Sequence, residues 1–311
     1  MQNRNHFSII GTGAVGGYYG SLLQRAGFDV HFLVKSDYAH IQAHGLKVDS
    51  VYGDFELPEV QAVRDPQALP PCDVVIVALK TTANAALKDI LPHAVAENSL
   101  VLTLQNGLGS EEEMADLVGA DRVLGGLCFL CSNKVGPGHI RHLDYGLITL
   151  GEFRADGQPG GITPRLEKVH AQFQKAGIPI RLVEDLVLAR WKKLVWNIPF
   201  NGLSVVRDQL TDQLIRDPQT RELCITLMQE TARAAQAVGR PIEPEFIEKM
   251  ITDTERMEPY APSMKLDYDR GRPMEIEAIY GNPIRAAQRA GVDMPETRKL
   301  YEALRKLNPV V

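Results

Sequence analysis

The sequence has no apolar run near the ~20 residues that a bilayer-crossing helix requires, no second cysteine pair, no low-complexity tract and no internal repeat. The first absence makes a membrane partner unexpected. The apolar stretch at His6–Ile10 is also too short for an export signal. Four cysteines in 311 residues do not make a disulfide scaffold, which points to a reducing, cytoplasmic setting. Cys128 and Cys131 have C-x-x-C spacing, but no partner pair follows at zinc-binding distance. On a strand, positions three apart point to opposite faces, so no metal site is expected there. A strongly basic balance is missing too. The net charge of −5 disfavours nucleic acid, whose phosphates require a cationic surface.

What remains is an ordinary globular composition, 44% apolar and 23% charged. At 311 residues, two domains are expected. Near the N-terminus, the strand-like His6-Phe7-Ser8-Ile9-Ile10 runs into Gly11-Thr12-Gly13-Ala14-Val15-Gly16 and then into a helical segment. Glycine spacing of this kind is informative because it lies between a strand and a helix. Gly11 permits the tight turn, Gly13 lets the backbone approach a pyrophosphate, and Gly16 lets the helix pack close to the strand. The unpaired amides and positive dipole end of that helix suit phosphate.

Downstream, Ala14–Ala26 reads as a helix ending at Gly27, Phe28–Val34 as a strand, and Asp73–Leu79 and Ser99–Leu104 as strands buried on both faces. Strands alternating with helices predict a parallel sheet. Ligands of such sheets bind beyond the carboxyl ends of the strands, which gathers Gly11–Gly16, Lys35, Lys80 and Asn106 around one crevice. Val123–Glu152 reads as short strand-like pieces turning at Gly136-Pro137-Gly138, and Ile178–Val183 as one more strand. Beyond Glu184 the chain is helical: Asp185–Val206, Gln219–Val238, Pro244–Arg256, Met274–Ala290 and Glu296–Leu307. The expected division is therefore 1–184, α/β, and 185–311, all-α. The amphipathic Gln219–Val238 segment suits either a core or a homodimer contact.

On the first of these helices, Lys193, Asn197 and Asn201 stand at i, i+4 and i+8 within an otherwise apolar segment. Each step of four rotates the helix by about 40°, so the three share a face. Buried polar groups are costly unless partnered. The stripe therefore either hydrogen-bonds into the neighbouring domain, faces a wet cleft and a substrate, or is solvated. Lys192 and Lys193 cannot both lie on that face. Pro199 has no N–H for the Val195 carbonyl, and its ring is expected to bend the helix.

Together these residues resemble the ketopantoate reductase (2-dehydropantoate 2-reductase) family. The resemblance runs from Phe7 to Leu307. It rests on the glycine turn, Lys80 after Val77-Ala78-Leu79, Gln105-Asn106-Gly107-Leu108-Gly109, Trp191-Lys192-Lys193-Leu194 with Asn197 and Asn201, and Pro262-Ser263-Met264 followed by Glu275-Ile276-Glu277. It implies an N-terminal Rossmann-type domain that binds NADPH, a helical C-terminal domain, and a small 2-oxo acid held between them and reduced. The implied substrate is 2-dehydropantoate, reduced to pantoate in pantothenate biosynthesis. Lys193 then corresponds to the catalytic lysine and Glu275 to its paired carboxylate. Asn197, Asn201 and Ser263 correspond to substrate-binding positions, and Asn106 to a residue beside nicotinamide and substrate.

An NAD-preferring site usually carries an acid after the second strand. Here Lys35 follows Phe32-Leu33-Val34, and a cation suits the 2′-phosphate of NADPH, although Asp37 stands close by. The family more often has arginine there. Thr211 occupies the approximate place of another family asparagine, so related branched 2-oxo acids are alternative substrates. Opine and glycerol-3-phosphate dehydrogenases share the two-domain plan but not the Lys193 stripe. A non-catalytic NADP-binding sensor would keep the glycine turn without needing Lys193 opposite Glu275.

Overall fold

The computed structural model describes residues 6–308. The chain divides into two compact units, one formed by residues up to Gln105 with Ser110–Leu186, the other by Asn106–Gly109 with the residues from Val187 onward.

The first unit is built on a ten-stranded sheet. Its strands are β1 (His6–Ile10), β2 (Asp29–Leu33), β3 (Leu46–Ser50), β4 (Phe55–Leu57), β5 (Gln61–Val63), β6 (Cys72–Val77), β7 (Val95–Thr103), β8 (Val123–Gly136), β9 (His139–Glu152) and β10 (Ile180–Val183). Its helices are α1 (Ala14–Arg25), α2 (Tyr38–His44), α3 (Leu87–Ala94), α4 (Ser110–Val118) and α5 (Pro164–Lys175). The spatial order is β4-β3-β9-β8-β7-β6-β1-β2-β5, with β10 against β9. From β5 to β8 the pairs are all parallel, in the Rossmann order with its reversal between β1 and β6. This is the α/β class that the strand–helix alternation predicts. Apolar side chains cover both sheet faces, Phe7, Ile9, Phe32 and Ile76 on one and Ile10, Leu33, Val75 and Val77 on the other. A strand buried on both sides needs an unbroken apolar run, and DVVIVAL supplies it for β6.

Two sequence expectations change here. Val123–Glu152 forms two long antiparallel strands, β8 and β9, where short pieces were expected. Register shifts at Phe129/Leu130 and Cys131/Ser132 break the polar–apolar alternation and hide their length. One of those shifts falls between Cys128 and Cys131, so strict alternation does not relate the two thiols. Neither forms a disulfide, and both are partly buried.

The second unit is helical: α6 (Leu186–Val206, entering from the first unit), α7 (Thr211–Arg216), α8 (Pro218–Ala237), α9 (Pro244–Arg256), α10 (Ser263–Asp269), α11 (Asn282–Arg289) and α12 (Pro295–Leu307). Proline at the first turn starts α8, α9 and α12, where its missing N–H costs nothing. Asp217 caps α8 by accepting from the Thr220 amide at 2.8 Å. Trp191, Leu194, Ile198, Phe200 and Leu203 of α6 bury into a core shared with Met228, Ile279, Tyr280 and Leu300.

The helix expected over Met274–Ala290 runs without a break from Ile276 to Arg289, but it starts later and is irregular. Met274 and Glu275 precede it, Glu277–Gly281 makes one π turn, and α11 follows. Pro283 is the physical reason. It offers no N–H, and the Asn282 amide bonds back to the Glu277 carbonyl, five residues earlier.

Candidate active site

In the first unit, each glycine of the turn has a steric reason. Gly11 has φ +100°, and a Cβ there would lie 2.6 Å from the Leu79 nitrogen. A Cβ on Gly16 would lie 2.3 Å from the Gly11 carbonyl oxygen. A Cβ on Gly13 would meet nothing within 4 Å. The space over Gly13 is thus clear of protein. The Gly13 amide closes the turn on the Gly11 carbonyl at 2.9 Å, and Thr12 Oγ1 donates to the Leu33 carbonyl at 3.1 Å. No side chain caps α1 and no acid sits in its first turn, so the amides from Ala14 through Val15 to Gly16 face an anion-ready end.

At the end of β2, Lys35 is exposed. Asp37, by contrast, is 6% exposed and engaged. It pairs with Lys134 Nζ at 2.5 Å and accepts from the Gly138 amide at 2.9 Å and the Ser36 hydroxyl at 2.8 Å. Burial alone would raise its pKa, but the Lys134 ammonium and the Gly138 amide outweigh it and hold the carboxyl below its ordinary value. Lys80 is exposed three residues beyond β6, where a short 3-10 turn begins.

In the second unit, Lys193, Asn197 and Asn201 do share a face of α6. Lys193 Nζ donates to Asn106 Oδ1 at 2.8 Å. Asn197 is 6% exposed and Asn201 2%. Asn201 Oδ1 accepts from the Met264 amide at 3.2 Å, which fixes the start of α10, where Ser263 is the first residue. Lys192 turns away from the stripe and sets its ammonium 5.4 Å over the Phe246 ring. Glu275 is 4% exposed, just before the π turn. Its neighbour Glu277 is a surface residue bonded to Arg285 at 2.9 Å and Tyr301 at 2.6 Å. Of the two glutamates, Glu277 is therefore at the surface and Glu275 is buried.

Residues 7–155 match the family described as "Ketopantoate reductase PanE/ApbA", and residues 185–308 match its C-terminal counterpart. A 2-dehydropantoate 2-reductase from a Nostoc species is 54% identical over 98% of this chain and 96% of its own. The chain belongs to the ketopantoate reductase family. It is accordingly a nicotinamide-dinucleotide-dependent oxidoreductase of that class. The crystal structure of 2-dehydropantoate 2-reductase from Geobacter metallireducens superimposes with TM-score 0.93 at 44% identity, covering 97% of this chain and 99% of that one. The Methylococcus capsulatus structure of the same title gives 0.87 at 33% identity, covering 97% and 96%.

In this ketopantoate reductase relative, the Gln105–Gly109 motif divides after its first residue. Gln105 Nε2 donates to the Leu79 carbonyl at 2.9 Å and to Asn84 Oδ1 at 2.6 Å, inside the first unit. Residues 106–109 belong to the second. There the Leu108 amide donates to the Ala278 carbonyl at 2.9 Å, and Asn282 Nδ2 to the Leu108 carbonyl at 2.6 Å. In the π register the helical donor to Ala278 would be Pro283, which has none, so Leu108 takes the freed carbonyl. Gly107 (φ +85°) makes this approach feasible, since a Cβ on it would lie 2.2 Å from that oxygen. Sequence reasoning quoted these glycines without a role, although G-L-G beside a helix containing Gly281-Asn282-Pro283 carries the signal.

Thr211, which departs from the family pattern, has a structural role. Fully buried, it donates its amide to the Tyr260 carbonyl at 3.1 Å and accepts the Tyr260 amide on Oγ1 at 3.2 Å. It thereby pins the loop that leads to Ser263. Pro199 does not end α6, which continues to Val206. Arg190 on the same helix is 3% exposed, a buried charge the sequence reading passed over.

Proposed function

We propose that this protein reduces 2-dehydropantoate to pantoate with NADPH, serving pantothenate biosynthesis, with Lys193 as general acid. The observation that carries the reading is the 2.8 Å bond from Lys193 Nζ to Asn106 Oδ1. It joins the lysine of the polar stripe to the asparagine that follows β7 in the chain. Strand ends of this kind are where Rossmann-type sheets bind dinucleotides.

The residues present fit the cofactor. Open space over Gly13, uncapped first-turn amides and an exposed cation after β2 are what a pyrophosphate and a ribose 2′-phosphate need. The turn residues Gly11 to Gly16 would hold the pyrophosphate. Lys35 would meet the 2′-phosphate, and Lys80 and Asn106 would flank the rest. Asp37, the acid that would otherwise select a free ribose hydroxyl, is already engaged by Lys134 and Gly138. Residues 1–184 are then the cofactor half and 185–311 the substrate half.

Bound NADPH supplies the hydride. Negative charge develops on the substrate's carbonyl oxygen, and the Lys193 ammonium stabilises it and delivers the proton. Asn106 Oδ1 fixes the position of that ammonium. Buried Glu275 offsets the cost of holding a cation there. Asn197, Asn201 and Ser263 offer directional hydrogen bonds to the substrate's hydroxyl and carboxylate. Four cysteines outside any disulfide suit a cytoplasmic enzyme.

The test is NADPH absorbance in the presence of 2-dehydropantoate and a panel of branched 2-oxo acids, repeated with NADH. Rapid loss with 2-dehydropantoate and a higher kcat/KM for NADPH support the reading. Faster turnover of another 2-oxo acid would replace the substrate. Cofactor binding with none of the panel reduced would make the protein a sensor.

A further inference from the structure

At the other end of β1 from the glycine turn lies a cluster that the reductase chemistry does not use. Parallel register sets His6 beside Asp29 and Ser8 beside His31. Residues two apart on a strand share a face, so His6, Asp29 and His31 converge on one side of the sheet. His6 Nδ1 stands 3.2 Å from one Asp29 oxygen and His31 Nε2 stands 3.4 Å from the other. The three ligand atoms lie within 4.8 Å of one another, the only such His, Cys, Asp or Glu trio among the described residues.

These separations are long for charge-assisted hydrogen bonds, which run about 2.7–2.9 Å. The His139–Asp49 pair, at 2.7 Å, shows the ordinary case in the same unit. They do match the edge of a tetrahedron whose ligands sit about 2.0–2.1 Å from a central ion, roughly 3.3–3.4 Å. Gln61 on β5 donates its side-chain amide to Asp29 Oδ1, orienting the carboxylate as an outer-sphere partner does.

We propose that His6 Nδ1, His31 Nε2 and the Asp29 carboxylate bind one divalent transition-metal ion of borderline softness, zinc being the type case. Two imidazoles and one carboxylate suit such an ion. A single carboxylate is far short of the six or more oxygens that calcium takes. The nearby Cys72 thiol is engaged elsewhere, accepting from the Ser8 hydroxyl at 3.1 Å and donating to the Pro70 carbonyl at 3.3 Å. His6 is 45% exposed on its side chain, so water completes the coordination from that side. The ion clips β1 to β2 about five residues, or some 16 Å, from the glycine turn. It is a structural ion, outside the redox chemistry.

The test uses the full, untagged chain titrated with Zn²⁺ by calorimetry and with Co²⁺ by visible absorption. One Zn²⁺ per chain, a tetrahedral Co²⁺ spectrum and a Tm raised by Zn²⁺ are expected. His6→Ala, at an exposed site that leaves the core intact, should weaken Zn²⁺ at least tenfold and erase the Co²⁺ spectrum. Gln61→Ala should weaken it about 10–100-fold, as loss of an outer-sphere partner does. No stoichiometric binding below millimolar Zn²⁺ overturns the proposal, and so does an affinity unchanged by His6→Ala.

Discussion

Replacing Lys193 by alanine separates an acid from a scaffold. The side chain is half-buried on α6 and donates to Asn106 Oδ1 at 2.8 Å, a length typical of an ammonium bonded to a neutral oxygen. If Lys193 only held Asn106 in place, its loss would forfeit one charge-assisted hydrogen bond. That is about 1.5–3 kcal/mol, and Asn106→Ala would cost the same. If Lys193 delivers the proton, its loss also removes general-acid catalysis, about 10²–10⁴ in rate. At about 1.4 kcal/mol per factor of ten, the lower figure alone is about 2.7 kcal/mol of transition-state stabilisation. The expectation is thus a fall in kcat of at least a hundredfold for Lys193→Ala, with a smaller effect for Asn106→Ala divided between kcat and KM. Glu275→Ala should approach the lysine variant, since an uncompensated ammonium is costly to bury. The assay is NADPH consumption at saturating 2-dehydropantoate, with folding checked by Tm. A kcat for Lys193→Ala within tenfold of the unmodified enzyme would refute the reasoning, and matched losses in the Lys193 and Asn106 variants would reduce the lysine to a positioning residue.

Four further outcomes follow from the geometry. Lys35→Ala should lower kcat/KM for NADPH by about tenfold or more, the worth of one charge-assisted contact, and leave NADH unchanged; equal losses for both cofactors would remove Lys35 from 2′-phosphate recognition. Gly13→Ala should keep its Tm but lose NADPH affinity by titration, because the new Cβ meets only the space a phosphate would use. Gly16→Ala should lose about 1–3 kcal/mol of stability, because its Cβ would lie 2.3 Å from a backbone oxygen. Asp37→Asn should destabilise the protein at neutral pH. The folded carboxyl is depressed, so its contribution is complete above the unfolded pKa of about 3.9 and fades as pH falls through the folded value. The two melting curves should still differ near pH 4 and converge only below the folded pKa, and a gap that persists below it would contradict the Lys134 pairing.

Where a sequence pattern was long and periodic, it translated directly into structure. Pro244–Arg256 has the same bounds as α9, and the i, i+4, i+8 stripe lies on one helix face because 3.6-residue geometry leaves no alternative. The elements that stayed hidden are short or depend on distant partners. β4 and β5 are three residues each, too few to show a period, and are strands only because β3 and β2 hold their edges. The π turn is invisible to periodicity, since Glu275-Ile276-Glu277 continues an α-helical pattern until Pro283 withholds its amide. Periodicity alone would thus place Glu275 within a helix, while in the fold it precedes the helix and is buried. The sequence could rank Lys35 over Asp37 only by position. The reason Asp37 is engaged lies 97 residues away at Lys134, and nothing local announces it.

The same logic explains why one short motif carries so much of the candidate site. Asn106 can fix a lysine 87 residues further along only if its own backbone is fixed, and an asparagine in a free loop would lose that precision to chain entropy. The anchoring comes from the helical unit's own irregularity. A proline forces a π turn, the π turn leaves the Ala278 carbonyl without its helical donor, and Leu108 fills it. The approach is close enough that a side chain on Gly107 or Gly109 would collide with Ala278 or Asn282. Strained backbone of this kind persists only where its surroundings over-determine it. Here the hydrogen bonds at Ala278 and Asn282 do so, and they deliver the amide oxygen that receives the Lys193 ammonium.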